Sequence, residues 1–501
     1  METNTHSSDH KTRIIRLVQK HKDLDKKRLS FILLGVILFC AVYFSPSWPA
    51  ALDPNGKAFA LSHEGKAAIG LFLLTAVWWV FEVVPIGVTS VMVGVIQAMF
   101  LIRAPKTAFS DFMDPSVWFI FGSIVIGMTF TKSGLTQRMA YKMLMLVGER
   151  TSMIYLGTFL MTAILTLIMA HTAVAATVFP LLMAIYKLYD TSDKPTKFGK
   201  GLFIGMAFVA GAGSSITLLG AARGAVALGF FKDITGKEIS FFQFSYYMFM
   251  LGFAMVFLLW GFFMIFYKPE KKTIPGLKIR AKSLYQKLGP MKPIEITTIT
   301  IVLLTVAILA LRSFVPVLAP INKSAIILVS TILFFLFNIL DMDDLEEIPW
   351  NIILLFGGAM SIGFCLWQTG AASWLAVNWL ILFQNAQWFV FVLGIAFFVL
   401  VMTNLIMNVA AIAISLPVAL VICPYLGVAP EVVLFASLTT AAMPFLLLVG
   451  AAPNAIAYNS KQFTSGEFFV AGIPASLLLM AVLSVFVMWI WPLMGMPVLA
   501  Q

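Results

Sequence analysis

Charged residues and cysteines are both scarce in this chain, and each scarcity excludes a class of protein. Charged residues make up 11% of the 501 residues and hydrophobic residues 60%, whereas soluble domains carry roughly 25% charged residues. The composition therefore excludes a soluble globular protein and predicts an all-α integral membrane protein. The three cysteines (Cys40, Cys365 and Cys423) are odd in number, lie in apolar runs and lack metal-ligand spacing, so they indicate neither a disulfide framework nor a metal site.

Catalytic and nucleotide-binding motifs are also missing. The sequence has no phosphate-binding glycine loop, no dinucleotide fingerprint, no nucleophile elbow and no metal-ligand cluster. A membrane enzyme needs a nucleophile with its base, or a bound metal, and the few ionisable residues in the apolar runs supply neither. We therefore expect a protein that is not an enzyme and that has no organic cofactor.

The net charge of +11 indicates a membrane orientation rather than a nucleic-acid binder. The basic residues collect in four polar segments, Lys11–Arg28, Lys132–Arg150, Lys187–Lys200 and Lys268–Lys292. Excess Lys and Arg in short loops marks the cytoplasmic side, and the same charges attract anionic lipid headgroups. The pattern predicts a multi-pass protein of a bacterial-type cell membrane, with a cytoplasmic N-terminus and the C-terminus outside.

Eleven apolar stretches have the length of about 20 residues that a spanning helix needs. They are residues 29–46, 67–84, 86–102, 116–132, 200–230, 245–267, 296–316, 324–341, 350–367, 431–458 and 471–494. Two more stretches, 153–189 and 385–424, are too long for one span, and each has a polar break at its centre without a hydrophilic loop. We predict that they are re-entrant hairpins, with tips at 170–172 and 407–409.

These elements divide the chain into two halves. The predicted divisions are a basic cytoplasmic segment 1–28, a first half 29–267 with hairpin 153–189 and broken helix 200–230, a cytoplasmic linker 268–295, and a second half 296–501 with hairpin 385–424 and broken helix 431–458. The topology makes the two hairpins enter from opposite faces. The two halves are therefore predicted to be inverted-topology repeats.

The halves repeat one another in sequence at their polar breaks. Ala170-His171-Thr172 is followed by Pro180, and Met407-Asn408-Val409, 237 residues further on, is followed by a proline at the same spacing. A second break follows in each half, 220–224 (GAARG) and 450–454 (GAAPN). Hydrophobic segments interrupted at corresponding positions of an internal repeat indicate a transporter binding site near the bilayer midplane.

Two ionisable side chains lie at these breaks. His171 and Arg223 are each surrounded by apolar residues, and an ionisable residue at membrane depth marks a pathway or site unless it is paired within the bundle. Arginine keeps its proton and needs a partner, for which Glu82 is the nearest carboxylate in the neighbouring spans. Neutral oxygens and amides at the same breaks complete the candidate set: Thr166, Thr172, Thr403, Asn408 and Asn454.

At these residues the chain resembles the divalent anion/sodium symporter family, over roughly residues 30–495. That family carries a Ser-Asn-Thr signature at each hairpin tip with a proline ten residues after the serine, and a Gly-Thr-Pro-Pro-Asn-like break in each half. The second half keeps Asn408 and Asn454. The first half departs from the pattern, with Ala170 and His171 in the signature and Arg223 in the break.

The resemblance implies a scaffold domain that forms a homodimer and a transport domain that moves as an elevator. It also implies one small anion between the hairpin tips and a Na⁺ ion beside each tip. The substrate residues that it implies here are His171, Thr172, Arg223, Asn408, Val409, Ala452, Pro453 and Asn454. The implied ligands of one Na⁺ ion are Thr403, Asn408 and Gly450, and those of a degenerate first site are Thr166 and Gly211.

We therefore expect a secondary active transporter of a di- or tricarboxylate-like anion, with sulfate and sulfonates as alternatives, and with at most one coupled Na⁺. A proton-coupled carrier or an anion exchanger without Na⁺ remains an alternative. A channel is the rival class, but inverted repeats with re-entrant hairpins favour alternating access. The sequence does not identify the anion or the stoichiometry.

Overall fold

The computed structural model describes residues 26–52, 58–190, 194–383, 387–405 and 407–500. The predicted basic segment 1–28 lies almost wholly outside these ranges. The described chain is helical apart from one antiparallel pair of two-residue strands, β1 (Ala51–Leu52) and β2 (Ala58–Phe59). This confirms the all-α class.

The first half contains eleven helices and a short 3₁₀ turn at Asp111–Met113 within the described residues. They are α1 (Lys26–Tyr43), α2 (His63–Val80), α3 (Ile86–Met99), α4 (Pro105–Ser110), α5 (Pro115–Lys132), α6 (Leu135–Val147), α7 (Thr151–Thr166), α8 (His171–Tyr189), α9 (Lys197–Gly213), α10 (Ala222–Thr235) and α11 (Phe241–Phe266).

The linker and second half contain the remaining described helices, with 3₁₀ turns at Cys423–Leu426 and Leu448–Gly450 and a π-helical turn at Phe486–Ile490. The helices are α12 (Leu277–Lys287), α13 (Pro293–Leu311), α14 (Lys323–Leu336), α15 (Met342–Glu346), α16 (Trp350–Gln368), α17 (Ala371–Phe383), α18 (Trp388–Leu405), α19 (Asn408–Ile422), α20 (Pro430–Ala441), α21 (Ala452–Tyr458), α22 (Ser465–Val485) and α23 (Trp491–Leu493).

Eight helical segments of the described chain are long and apolar enough to cross a membrane. They are Pro105–Lys132, His171–Tyr189, Phe241–Phe266, Pro293–Leu311, Trp350–Gln368, Trp388–Leu405, Asn408–Leu426 and Ser465–Leu493. Five more apolar helices are shorter, at 10–17 residues. The protein is therefore a multi-pass membrane protein, and the count of eleven spans stays a prediction.

Both predicted hairpins are pairs of helices with an interruption at the expected place. α7 and α8 are separated by residues 167–170, and α18 and α19 by the segment between Leu405 and Asn408. The predicted tips are displaced by a few residues, because His171 and Asn408 are the first residues of the returning helices. The side chains at these positions therefore project from a helix N-terminus.

The predicted broken helices are also interrupted, and their breaks have the same backbone conformation. α9 ends at Gly213 and α10 begins at Ala222, whereas α20 ends at Ala441 and α21 begins at Ala452. The residue before each second piece is extended, with φ −164° and ψ 144° at Ala221 and φ −153° and ψ 148° at Ala451. The two breaks that correspond in the sequence therefore also share a backbone conformation.

Each half packs its broken helix against the hairpin of the other half. α10 packs along α19, and α21 packs along α8, while α9 also contacts α21. The approach is close at Gly211, where a Cβ atom would lie 2.6 Å from the carbonyl oxygen of Ala442. A side chain there would push the halves apart, so this reciprocal packing requires glycine. It brings the interruptions of the two halves together.

The helices outside these hairpins and broken helices contain a buried ion pair that sequence reasoning did not reveal. Arg103, after α3, donates to Asp111 at 2.7 Å, and their side chains are 5% and 8% exposed. The same guanidinium donates to the side-chain oxygens of Gln97 and Gln368. The pair therefore ties α3 to the 3₁₀ turn before α5 and to α16.

We predict that Asp111→Asn destabilises the protein by about 3–5 kcal/mol, because it leaves a buried guanidinium without its counter-charge. Reversible unfolding of the purified protein in mixed detergent micelles measures the loss. The matched control is Asp341→Asn, which removes an exposed partner of Lys132 and should change stability little. Equal losses in the two variants would contradict the assignment of Arg103–Asp111 as a structural pair.

Candidate functional site

A cavity of about 380 Å³ lies where the interruptions of the two halves meet. Its walls come from the N-terminal ends of α8, α10, α19 and α21 and from one face each of α5 and α16. The predicted substrate residues that line it are His171, Thr172, Asn408, Val409 and Ala452. The fold thus brings together residues from both halves of the chain. Arg223, Pro453 and Asn454 are not part of its lining.

The four helices that begin at this cavity all lack a capping side chain. Their N-cap residues, none of which makes a side-chain cap hydrogen bond, are Ala170, Ala221, Met407 and Ala451. The first N–H groups of a helix have no partner within it, and its N-terminus carries about half a positive charge. His171 N donates to Gly220 O at 2.9 Å, and Gly224 N and Asn454 N bond to the carbonyls of Ala221 and Ala451. The positive ends of the helices suit an anion.

The cavity extends to one end of the membrane spans. Glu347 and Pro349, in the loop before α16, line its edge, and Glu347 is exposed. The predicted topology places this loop on the cytoplasmic side. Glu347 is the one carboxylate among the cavity-lining residues, and it lies at the mouth rather than among the helix N-termini. Sequence reasoning did not single out Glu347, because acidic residues in such loops are common.

The cavity also has an apolar wall. It is formed by Ile120, Ile124, Ile352 and Phe356 of α5 and α16. Sequence reasoning missed this wall because apolar residues of a spanning helix have the same composition whether they face lipid, the protein core or a cavity. The cavity therefore combines positive helix ends with a hydrophobic surface.

His171 is half-buried at the first position of α8 and lines the cavity. Its Nδ1 atom is buried and has no hydrogen-bond partner among the described residues. A buried polar nitrogen without a partner is costly, so a bound ligand or water is its natural partner. This agrees with the predicted substrate role of His171.

Arg223 lies behind the cavity wall rather than in the cavity. It is 2% exposed, and its Nη2 donates to Ser214 Oγ at 2.9 Å. Its Nη1 is buried without a partner in the described part of the chain, and neither Glu82 nor another described carboxylate pairs with it. The side chain runs into the protein beside Ser214, so the predicted direct contact with substrate stays a prediction.

The oxygens around the first break are already hydrogen-bonded. Thr166 Oγ1 donates to Ala163 O at 2.7 Å, and Ser214 Oγ donates to Gly211 O at 2.8 Å. These hydroxyls satisfy the last carbonyls of α7 and α9, which lack helical partners. With Gly220 O bonded to His171 N as well, the predicted degenerate ion ligands Thr166 and Gly211 are engaged in structural contacts next to a fixed cation.

The second break offers neutral oxygens without a neighbouring cation. Thr403 is buried, and its Oγ1 donates to Ala441 O at 3.2 Å, which leaves the hydroxyl oxygen able to accept or to ligate. Gly450 lies against it, since a Cβ there would be 2.9 Å from Thr403 O. Asn408 is nearly buried and lines the cavity beside them. Hydroxyl, amide and carbonyl oxygens are the ligands that hard cations take.

Asn404 is a structural residue of the second break that sequence reasoning missed. Its Oδ1 accepts hydrogen bonds from Leu446 N at 2.7 Å and Leu447 N at 3.3 Å, and the residue is 3% exposed. It therefore holds the loop after α20 against the end of α18. The available signal was an amide in an apolar run, one residue after Thr403.

Asn454 holds the same loop from the other side. Its Nδ2 donates to Pro444 O at 2.8 Å and to Leu447 O at 3.1 Å, and Pro453 before it is buried at the start of α21. Both predicted substrate residues therefore support the break rather than line the cavity. No group of three or more His, Cys, Asp or Glu side chains gathers anywhere in the described chain.

The whole membrane region of the chain matches a known family. The model of the sodium:sulfate symporter transmembrane region aligns with residues 29–497. The sodium-dependent dicarboxylate transporter SdcS of Staphylococcus saprophyticus is 24% identical over 495 residues, covering 95% of this chain and 93% of that protein. SdcS of Staphylococcus aureus strain NCTC 8325 is also 24% identical, with coverages of 93% and 92%.

Two solved transporter structures share the fold at low sequence identity. MtrF of Neisseria gonorrhoeae, described as illuminating a class of antimetabolite efflux pumps, superposes with a TM-score of 0.57 at 12% identity and covers 94% of this chain and 96% of its own. The YdaH transporter of Alcanivorax borkumensis, described as having an unusual topology, gives 0.57 at 13% identity, with coverages of 94% and 98%. These likenesses concern the fold alone.

We predict that Asn404→Leu destabilises the protein by about 1–3 kcal/mol, because two buried N–H groups lose their acceptor. Unfolding in mixed micelles measures the change. Asn378→Leu is the control, since Asn378 donates only to Trp374 O of its own helix. Equal losses of unfolding free energy in the two variants would show that the side-chain amide of Asn404 does not hold the second break.

Proposed function

The chain belongs to the sodium:sulfate symporter family, and on that basis we propose that it is a secondary active carrier of a small dicarboxylate-like anion, coupled to at most one Na⁺ per cycle. Membership of the family and the span-length helices make it a multi-pass membrane transporter of small anions rather than an enzyme. The observation that carries the proposal is the convergence of four uncapped helix N-termini on one cavity.

The arrangement of the cavity favours an anion with charge at both ends. α8 and α10 of the first half and α19 and α21 of the second half all line it with their N-terminal ends, so each half contributes positive helix ends to the cavity. A dicarboxylate can place one carboxylate at each pair of helix ends and its methylene groups on the apolar wall. The relatives in Staphylococcus are named dicarboxylate transporters. Sulfate, sulfonates and tricarboxylates are the alternatives to be compared.

We propose that Arg223 replaces a coupling ion in the first half. Its guanidinium is buried beside the break, with one N–H group on Ser214 and another unpartnered among the described residues. At an effective dielectric constant of about 20, two unit charges about 5 Å apart repel by about 3 kcal/mol, which weakens cation binding by about a hundredfold. The Arg223 guanidinium would stabilise the substrate anion through the cavity wall without itself being transported.

The second half retains a set of oxygens that fits one Na⁺ ion. Thr403, Asn408 and Gly450 would hold it, and the ion would supply positive charge beside the second tip. No resident cation lies at this break within the described chain, so the electrostatic obstacle of the first half is missing there. If this site does not bind Na⁺, the same geometry supports an anion exchanger. The unpartnered imidazole nitrogen of His171 is the observation that keeps a proton-coupled carrier as the other alternative.

The proposed movement follows from the packing. The two hairpins and two broken helices interlock through the α10–α19 and α21–α8 contacts and would move together as the transport domain. The paired helices α1–α2, α3–α16 and α5–α14 would form the scaffold, which we propose forms a homodimer. A transport domain of this kind carries its cavity across the membrane, as an elevator does.

We predict that uptake of succinate into proteoliposomes depends on Na⁺ with a Hill coefficient of about one, because a single site is free of a neighbouring cation. Asn408→Ala should abolish the Na⁺ response. Counterflow against internal succinate, with Na⁺ or pH gradients imposed separately, distinguishes symport from exchange, proton coupling and a channel, which shows no accelerated exchange. A sigmoidal Na⁺ dependence would show that the first site also binds an ion.

We predict that Arg223→Gln raises the apparent KM for the anion at least tenfold, because a buried positive charge near the cavity is lost, at about 1.4 kcal/mol per tenfold change. Arg223→Lys keeps the charge and should recover most of the affinity. Initial rates in proteoliposomes over a range of anion concentrations measure the effect. A purely structural role predicts instead that both variants lose stability and that their KM values stay unchanged.

A further inference from the structure

A second cavity, of about 480 Å³, lies beside the first hairpin, between α6, α8 and α12. Its wall on α8 runs from Ala176 to Leu188, which is about 18 Å at 1.5 Å per residue. That length is close to half of the roughly 30 Å hydrocarbon thickness of a bilayer, the span of one lipid leaflet. Most of its lining is aliphatic, contributed by Ala and Leu residues of all three helices. We call it the slot.

One buried polar group in the slot lacks a partner. Thr136, at the start of α6, is 2% exposed, and its Oγ1 has no hydrogen-bond partner among the described residues. Thr136 lines the slot. A buried hydroxyl left unpaired in this way calls for a bound polar group.

The slot also has one cationic residue. Arg280 of α12 lines it, is exposed, and has no carboxylate within ion-pair distance in the described ranges. α12 carries further basic side chains, including Lys278 and Lys282, and buries Leu277 and Ala281 against α6. A basic amphipathic helix attracts the negative surface of a membrane, by about 1 kcal/mol per basic residue.

We propose that the slot binds an anionic phospholipid of the membrane, with an acyl chain along α8 and its phosphate on Arg280. A soluble anion would leave the long aliphatic wall in water, and a neutral lipid would leave Arg280 without a counter-charge. The combination of an apolar channel of leaflet length, an unpaired buried hydroxyl and an unpaired guanidinium fits an anionic amphiphile. Nothing in the central cavity requires this ligand.

Such a lipid would sit between parts of the protein that the proposed movement separates. α8 belongs to the first hairpin, whereas α6 is fixed to α13 by the buried pair of Arg138 and Glu295, with an N–O distance of 3.0 Å. A lipid in the slot therefore bridges the hairpin and its support. The consequence for transport rests on the proposed function, but the binding itself does not.

Native mass spectrometry of the purified, delipidated protein tests the binding, with phosphatidylglycerol and phosphatidylcholine added separately. We expect one phosphatidylglycerol per chain to be retained, with phosphatidylcholine bound at least fivefold more weakly. Arg280→Gln should weaken phosphatidylglycerol binding at least fivefold, whereas Lys278→Gln, an equal loss of charge on the same helix outside the slot, should change it less than twofold. Ala184→Phe, which fills the slot, should remove the lipid.

Equal retention of both lipids, or equal effects of Arg280→Gln and Lys278→Gln, would overturn the proposal. Displacement of the lipid by inorganic phosphate alone would make the slot a site for soluble anions and would also overturn it. Succinate counterflow in phosphatidylcholine vesicles with and without phosphatidylglycerol then measures the effect on transport. Because binding is read by mass, a protein that fails to transport succinate still tests the lipid site.

Discussion

The structure depends on the satisfaction of backbone groups at interrupted helices inside a membrane. A helix that stops at membrane depth leaves N–H and C=O groups that lipid cannot satisfy, so each interruption must be buried in protein or face a polar cavity. Here the carbonyl ends of α7 and α9 are satisfied by Thr166, Ser214 and Ser215. The N–H ends are left facing the central cavity. Hydroxyl side chains thus satisfy the carbonyl ends of these interrupted helices, whereas the N-terminal ends are left for a ligand.

Reciprocal packing turns four separate interruptions into one site. α10 lies on α19 and α21 lies on α8, so neither half can form its part of the cavity without the other. The close approach at Gly211 sets the spacing. The N-terminal ends of α8 and α10 in the first half and of α19 and α21 in the second half line one cavity, which collects positive helix ends around a space that suits a small anion.

The two halves have nevertheless diverged in how they hold their breaks. In the first, a guanidinium donates to Ser214 and the tip backbone of His171 bonds to Gly220. In the second, the amides of Asn404 and Asn454 fix the loop, and the described residues of this break carry no charge. A charged support excludes a cation by repulsion, whereas a neutral support leaves room for one. This asymmetry is the physical basis for assigning unequal ion sites to a symmetric fold.

The sequence by itself determined the membrane class and the family, because hydrophobic length and motif residues are local properties of the chain. It also predicted helix interruptions that the structure shows within a few residues of the expected positions, whereas the division into two inverted halves stays a prediction. It also identified His171 and Asn408 as cavity residues, since polar groups at the breaks are costly unless used. Only the tertiary structure decided that Arg223 points away from the cavity, that Asn404 and Asn454 brace a loop, and that an apolar slot opens beside α8. The direction of a side chain, its hydrogen-bond partners and the enclosure of a cavity depend on which distant helices pack together. Residue types alone do not specify that packing.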